Sequence, residues 1–384
     1  MHEWCRQWRL NININKSNVV HFRSAKRKQS KFQFQFGNIQ LNYCSSYKYL
    51  GVYLDEHLKF THCKSTSVSD SGSRAFGGIL SKLKYIKDIR YKTYTKLYNS
   101  HVCPILDYCS SIWGFKNGVE CEGVQNKAIR YFLGVHKFTP LAAINGEMGW
   151  LPSKYRHYIC MLRLWNRLLK MDSNRITKQV FLWDYEKCKL NWSSEIKEIF
   201  SKINMQNHYN SKIPVDIKIA EKHFMVQTEN DWKIDLESKP KLRLYRTFKH
   251  KYESESYLNK YMSKSKRSLL VQFRTGVLPL RIETGRFQLV KDVLSNKFRK
   301  LNVEERTCLL CKSNDVEDEI HFLCHCVVYE NLRTNLFQSV TQKYPQFQDL
   351  SDHEKFTEIV NSFEKQLVDF IDKAWRVRQN LLNK

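Results

Sequence analysis

Cys308, Cys311, His321 and Cys326 stand in a C-x2-C-x9-H-x4-C array inside the stretch 306–333. Zinc takes four soft or borderline ligands in a tetrahedron. Two thiolates three positions apart on a tight turn supply one side of it. A His and a Cys five positions apart, near the start of a helix, supply the other. The intervening loop is acidic, with Asp315, Glu317, Asp318 and Glu319. So short a loop buries little, which makes a metal the organiser to expect. A clip of this kind stabilises zinc-finger peptides by about 10–16 kcal/mol apparent. Cys324 and His325 lie between His321 and Cys326, and either could replace a ligand. His321 and Cys326 are preferred, because that choice lets Phe322 and Leu323 point into a core. Four protein ligands close the site, so the zinc is structural; a catalytic zinc keeps one position open. The competing reading, unrelated buried cysteines, does not account for two spaced pairs with a His.

The rest of the chain offers little else for catalysis. It has no Walker A loop, no H-E-x-x-H and no G-x-S-x-G. The formal net charge is +26 over 384 residues. A surface of that sign calls first for a polyanion, RNA or DNA, and second for a membrane surface. No run of 18 or more apolar residues and no N-terminal signal peptide is present, so the expectation is a soluble chain of the nucleus and/or cytoplasm, with no membrane partner. Its other cysteines are then thiols rather than disulfides. Cys5, Cys44, Cys63, Cys103, Cys109, Cys121, Cys160 and Cys188 have mostly apolar or aromatic neighbours and read as core. The sequence carries no signal for an oligomeric state.

The elements that must position these residues can be read from periodicity. A helix end with Trp4, Trp8 and Leu10 precedes strand-like runs at 18–23, 31–36 and 39–43. Phe32, Phe34 and Phe36 alternate strictly, and Gly37-Asn38 is a two-residue hairpin signal. A fourth run covers 47–55 around Gly51. Helical spacing begins within 61–78 and continues from Tyr91, with Pro104 set to kink or restart the helix. A helix over 119–135 turns Val124, Ala128 and Phe132 inward. Pro140 and Pro152 mark further helix starts up to 171. Residues 172–240 carry no motif and read as a helical connector.

Residues 241–300 hold 16 Lys and Arg against 4 Asp and Glu, a local balance of +12, interleaved with aromatics. Cations neutralise phosphates while rings stack on bases. A solvated helical face with its own aromatic core explains the segment equally well. After the cysteine array the pattern predicts a helix from 327 to about 343, stopped by Pro345. A long amphipathic helix over 354–382 should pack on another helix of this chain. The expected fold is mainly α with a small N-terminal β-sheet remnant. Its parts are 1–58, 59–171 (helical), 172–240 (connector), 241–300 (basic, aromatic-rich, helical) and 301–384 (zinc-stabilised).

With these residues in view, the chain resembles the C-terminal part of a non-LTR, LINE-type retrotransposon reverse transcriptase. Residues 4–10, followed by Asn15-Lys16-Ser17 and Val19-Val20-His21-Phe22, resemble the end of the palm. Lys16 falls where the family has a lysine thought to protonate the departing pyrophosphate. Tyr49-Leu50-Gly51-Val52 resembles the primer-grip hairpin. Residues 104–108, Trp113-Gly114, Val124-Gln125-Asn126-Lys127 and Arg130 resemble the helical thumb. Residues 273–276, Pro279-Leu280 and 283–287 resemble the block before the terminal zinc knuckle. Residues 317–322 with Cys326, Tyr329 and Arg333 complete that knuckle.

The resemblance implies binding to RNA or DNA. On the nucleic-acid-binding reading Arg267, Arg274, Arg281, Arg286 and Arg333 are phosphate contacts, and Lys26, Arg27 and Lys28 either contact the backbone near the strands or form a solvated hairpin loop or a nuclear-import patch. The family's paired metal-binding aspartates are missing: no two aspartates are adjacent here, and Met1 falls after the expected Tyr-x-Asp-Asp turn. Two-metal phosphoryl transfer needs those carboxylates. The expectation is therefore an inactive fragment, a truncated element copy or partial gene model, with Lys16 a vestige. Two other readings compete. One is a working polymerase whose catalytic part lies upstream or in trans. The other is a zinc-stabilised protein-interaction module.

Overall fold

A computed structural model describes residues 2–60, 68–86, 88–115, 118–291 and 297–383. As expected, the protein is mainly helical, and among the described residues its strands form four two-stranded sheets. A short helix α1 (His2–Gln7) leads into β1 (Asn18–Val19), β2 (Gln35–Phe36), β3 (Ile39–Gln40), β4 (Asn42–Tyr43), β5 (Ser46–Tyr49) and β6 (Val52–Asp55). The runs at 18–23 and 31–36 thus form much shorter strands than their alternation predicts. An alternating face needs a partner ladder and a core to cover it, and isolated two-stranded ribbons are marginal. Phe32 and Phe34 stay 64% and 43% exposed and stack on each other edge-to-face.

The turn at Gly37-Asn38 follows its residue types, whereas the turn at Leu50-Gly51 forces a leucine into the left-handed region. Phe36 pairs with Ile39 across Gly37-Asn38, and only Gly37 takes a positive φ, 61°. The run at 47–55 is a hairpin, not one strand. Its turn residues Leu50 and Gly51 have φ of 46° and 87°, the pair of left-handed values that a type I′ turn demands.

The helices follow. They are α2 (Ser69–Leu83), α3 (Tyr91–His101), α4 (Cys103–Leu106), α5 (Ser110–Trp113), α6 (Val119–Leu133), α7 (Leu141–Met148) and α8 (Ser153–Leu169). Pro104 does break the chain between α3 and α5, because it enters the first turn of α4, where a missing N–H costs nothing. Gly134, at φ 72°, stops α6. Residues 172–240 form α9 (Ile176–Lys187), α10 (Trp192–Lys202), α11 (Gln206–Asn210) and α12 (Ile217–Glu237). They fill cores, with Phe181, Phe200, Tyr209 and Phe224 all buried. The basic stretch forms α13 (Tyr245–Phe248), α14 (Lys264–Arg274) and α15 (Arg281–Thr284), and then a hairpin of β7 (Leu289–Lys291) and β8 (Phe298–Lys300) that its composition did not signal. Last come α16 (Glu330–Thr341), α17 (Asp352–Ser362) and α18 (Glu364–Leu382). The predicted single helix over 354–382 is therefore two, parted at Phe363, whose φ and ψ of −126° and 37° leave the helical region.

The chain divides into two compact units that alternate along the sequence, where composition suggested five successive segments. One comprises residues 1–77, 100–124 and 153–221; the other comprises 78–99, 125–152 and 222–384. In the first, α5 packs on α8, and Trp113 meets His157 edge-to-face. Asp107 accepts from Arg156 Nε at 3.2 Å and lies 3.3 Å from the His157 ring. Burial works to raise the Asp107 carboxyl, but His157 and Arg156 hold it below its ordinary value. Trp165 anchors the other end, ringed by Phe181, Phe200 and Tyr209 at 5.4–5.5 Å.

In the second unit, α14 lies against α18, the helical partner that the apolar stripe of α18 required. Trp232, Tyr245 and Tyr252 each donate to a backbone carbonyl of the 142–150 stretch. No helix among the described residues is long and apolar enough to cross a membrane. The cysteines outside the terminal array that the structure describes carry free thiols, from buried Cys5, Cys103 and Cys121 to half-buried Cys44, Cys109, Cys160 and Cys188. Cys63 lies outside the described residues.

Candidate metal centre

The acidic loop folds on itself before any side chain is considered. Thr307 bridges Val316, and the Cys308 N–H donates to the Asp315 carbonyl at 2.9 Å. Lys312 and Asn314 take φ of 57° and 60°, which turns the chain back. Asp318 then receives the N–H groups of Ile320 and His321 at 3.0 and 2.9 Å, starting the helical turn His321–His325. Phe322 and Leu323 in that turn are fully buried, which orients His321 and Cys326 to one side.

The ligand atoms of Cys308, Cys311, His321 and Cys326 all lie within 4.8 Å of one another. Cys311 Sγ is 3.4 Å from His321 Nε2, close to the edge of a tetrahedron built on Zn–S and Zn–N bonds of about 2.3 and 2.0 Å. A hydrogen bond from Cys326 holds the Cys308 thiol down to about 3 and pushes Cys326 up. A thiolate is the form that binds a metal. Burial opposes charge on His321, yet Cys308 and Cys311 raise its pKa above the usual value. The clustering of the four donor atoms fits a metal ion, and three sulfurs with one imidazole suit zinc. Its contribution would be to tie the loop to the helical turn.

The two substitutes fall elsewhere. His325 is half exposed and pairs with Asp352 at 3.0 Å. Cys324 is not in the group of ligand atoms that lie within 4.8 Å of one another, which Cys308, Cys311, His321 and Cys326 form.

A second layer was missed in the sequence. Glu317, 1% exposed, approaches Cys308 Sγ at 3.7 Å and takes a bidentate pair from Arg378 of α18, one arm at 2.9 Å. It also receives the Arg281 N–H at 2.8 Å. Burial pushes its carboxyl up to about 7 against the pull of Arg378. The available signal was a charge on the apolar stripe of the terminal helix, four positions after Ala374. Arg333 donates to the Cys326 carbonyl at 2.9 Å, so it braces the centre from α16.

Part of the chain is similar to a transposon polymerase. Over 169 residues it is 27% identical to the "Probable RNA-directed DNA polymerase from transposon X-element" of Drosophila melanogaster, a match covering 40% of this chain and 18% of that protein. The chain thus spans less than a fifth of the length of that relative. No family model and no solved structure matches the chain.

Set against that likeness, the residues expected to touch phosphate sort into three groups. Arg267 and Arg274 are corrected: both are buried. Arg267 pairs with Asp88 at 3.0 Å and donates to the Phe132 carbonyl; Arg274 pairs with Glu147 and Glu255. Arg281, Arg286 and Arg333 are half-buried, with Arg286 3.0 Å from Glu283. Lys26, Arg27 and Lys28 are exposed, at a turn and just after it. Lys16 is exposed as well, and its carbonyl accepts from the Tyr47 hydroxyl at 2.9 Å.

Proposed function

We propose that the chain is a nucleic-acid-binding portion of a LINE-type retrotransposon reverse transcriptase, its terminal module clipped by a structural zinc on Cys308, Cys311, His321 and Cys326. The observation that carries the reading is the likeness to a probable RNA-directed DNA polymerase in a chain of net charge +26. The hairpin of β5 and β6, at the expected position of a primer grip, and the helices that follow it agree with a palm edge leading into a thumb. RNA or DNA is the partner. The exposed cations, Lys26, Arg27 and Lys28 among them, supply phosphate contacts, while Arg281, Arg286 and Arg333 contribute from the margin of the metal centre.

The chain alone does not polymerise DNA in this reading. Two-metal transfer needs carboxylates on both ions, and this sequence has no adjacent aspartates. Lys16 then has no reaction to serve unless an upstream part of the same protein or another polypeptide supplies the palm.

The test is a titration of single-stranded RNA, single-stranded DNA and duplex DNA with the full chain at several salt concentrations. Binding should weaken with salt at a log–log slope of about −0.7 per phosphate neutralised on single strands and −0.9 on duplex. No binding at low salt, or a flat salt response, overturns the reading and favours a protein-interaction module. Primer extension by the chain alone overturns its inactivity.

A further inference from the structure

The hairpin of β7 and β8 is built inside out. Its register pairs Leu289 with Lys300, Val290 with Arg299 and Lys291 with Phe298. Side chains directly opposed on an antiparallel pair share a face, and residues two apart along a strand share it too. One face of the ribbon therefore carries Leu289, Lys291, Phe298 and Lys300, and the other carries Val290 and Arg299. A ribbon at a protein surface should turn its apolar side chains inward. Here Leu289 is 59% and Phe298 71% exposed, with both lysines of that face exposed, while Val290 and Arg299 are half-buried. Phe287, just before β7, is 73% exposed as well.

The ribbon is held firmly at its base. Leu301 N–H donates to the Gln288 carbonyl, Arg299 makes a two-armed pair with Glu305 at 2.6 Å, and Arg306 donates to the carbonyls of Leu301 and Ile282. Arg306 is two residues from the first metal ligand, so the ribbon's position is tied to the candidate centre.

We infer that this face is a binding surface for single-stranded nucleic acid, with bases stacked on Phe298 and Phe287 and phosphates held by Lys291 and Lys300. The inference rests on the nucleic-acid reading above and assigns it a place. Each apolar side chain of the face sits opposite a lysine, and the described ribbon residues include no carboxylate. Alternating rings and cations suit a strand that offers unpaired bases and phosphates together. A paired duplex hides the faces of its bases from such rings, and an apolar protein partner would leave the lysines desolvated and unpaired.

The experiment uses the full chain with Phe298→Ala, Phe287→Ala and the pair Lys291→Gln/Lys300→Gln. Each is titrated with fluorescein-labelled single-stranded RNA, single-stranded DNA and duplex DNA of one sequence. All four positions are solvent-facing, and circular dichroism checks that the variants fold as the parent does. Phe298→Ala should weaken single-strand binding roughly 5- to 150-fold and change duplex binding little. The lysine pair should reduce the single-strand salt slope by about 1.4. Iodouracil-substituted oligonucleotide should photo-cross-link to Phe298 or Phe287. RNA and DNA arms that respond equally identify the shared chemistry, and a larger effect in one names the strand the face prefers; either result supports the inference.

If the parent binds single strands and none of the variants changes that, the inference falls and the broader reading stands. Equal losses on single strands and duplex also overturn it, in favour of a ribbon lying in a groove. If the parent binds no nucleic acid, both fall together.

Discussion

Arg274 donates to Glu147, to Glu255 and to the Val360 carbonyl from a position 1% exposed, and its guanidinium lies over the Phe248 and Tyr257 rings. Tyr257 donates its hydroxyl to Glu147, which is itself fully buried. Burial pushes the Glu147 carboxyl up, and Arg274 is what makes its charge tolerable there. Breaking one side of such a pair leaves a buried charge unmatched. Arg274→Met should therefore lower stability by about 3–5 kcal/mol, read as the urea midpoint, and adding Glu147→Gln should restore part of the loss. A loss below about 1 kcal/mol would show that water reaches Glu147.

Asp107 makes the corresponding statement about pH in the first unit. Its folded pKa is depressed by His157 and Arg156. Its unfolded value is about 3.9, and the unfolded state binds more protons as pH falls past it. The stability it contributes is present above that pH and disappears as pH drops through the folded value. Asp107→Asn should be less stable than the parent at pH 7, with the difference shrinking toward pH 3. A difference independent of pH would assign the effect to packing instead.

At the scale of elements, turn geometry decides more than propensity does. Gly149 closes α7 with φ 62°, and a Cβ there would stand 2.4 Å from the Ser254 nitrogen and 2.6 Å from the Glu253 carbonyl carbon. That approach lets Glu255 N–H reach the Glu147 carbonyl at 3.0 Å. Gly149→Ala combines left-handed strain with overpacking against backbone, and should cost roughly 2–5 kcal/mol by thermal or urea unfolding. The split of the terminal helix has a comparable origin. Ser351 and Glu354 form a capping box that starts α17, and Glu364 at the head of α18 takes Ser256 and Lys260 as partners. The apolar spacing runs through the break, because Phe363 is buried whether or not its backbone is helical. Periodicity alone could not reveal it.

At the scale of the molecule, a zinc clip predicts where stability depends on metal. Elemental analysis should find one zinc per chain in the parent and none in Cys311→Ser. Amide exchange under a chelator should quicken over 307–341, since binding energy at a structural site is folding energy. The helix α8, in the other unit, should keep its protection. Equal loss in both units, or no zinc in a folded parent, would contradict a local structural centre.

Several features needed nothing beyond the order of residues. The spacing of Cys308, Cys311, His321 and Cys326, the helix restart at Pro104, the hairpin at Gly37-Asn38 and the inward face of α6 all follow from local chemistry, which short stretches of sequence carry whole. Tertiary structure decided what local chemistry cannot express. Arg267 and Arg274 have the same type and setting as surface cations; only carboxylates distant in the chain, at Asp88, Glu147 and Glu255, make them interior residues. Arg378 and Glu317, 61 positions apart, become one pair beside the metal ligands only when α18 returns to the loop. Phe298 shows the converse. Its type predicts burial, and the register of a ribbon with no layer of described residues over that face leaves it exposed. Burial and charge pairing are set by which distant segments meet, and that is the property a sequence read in windows does not contain.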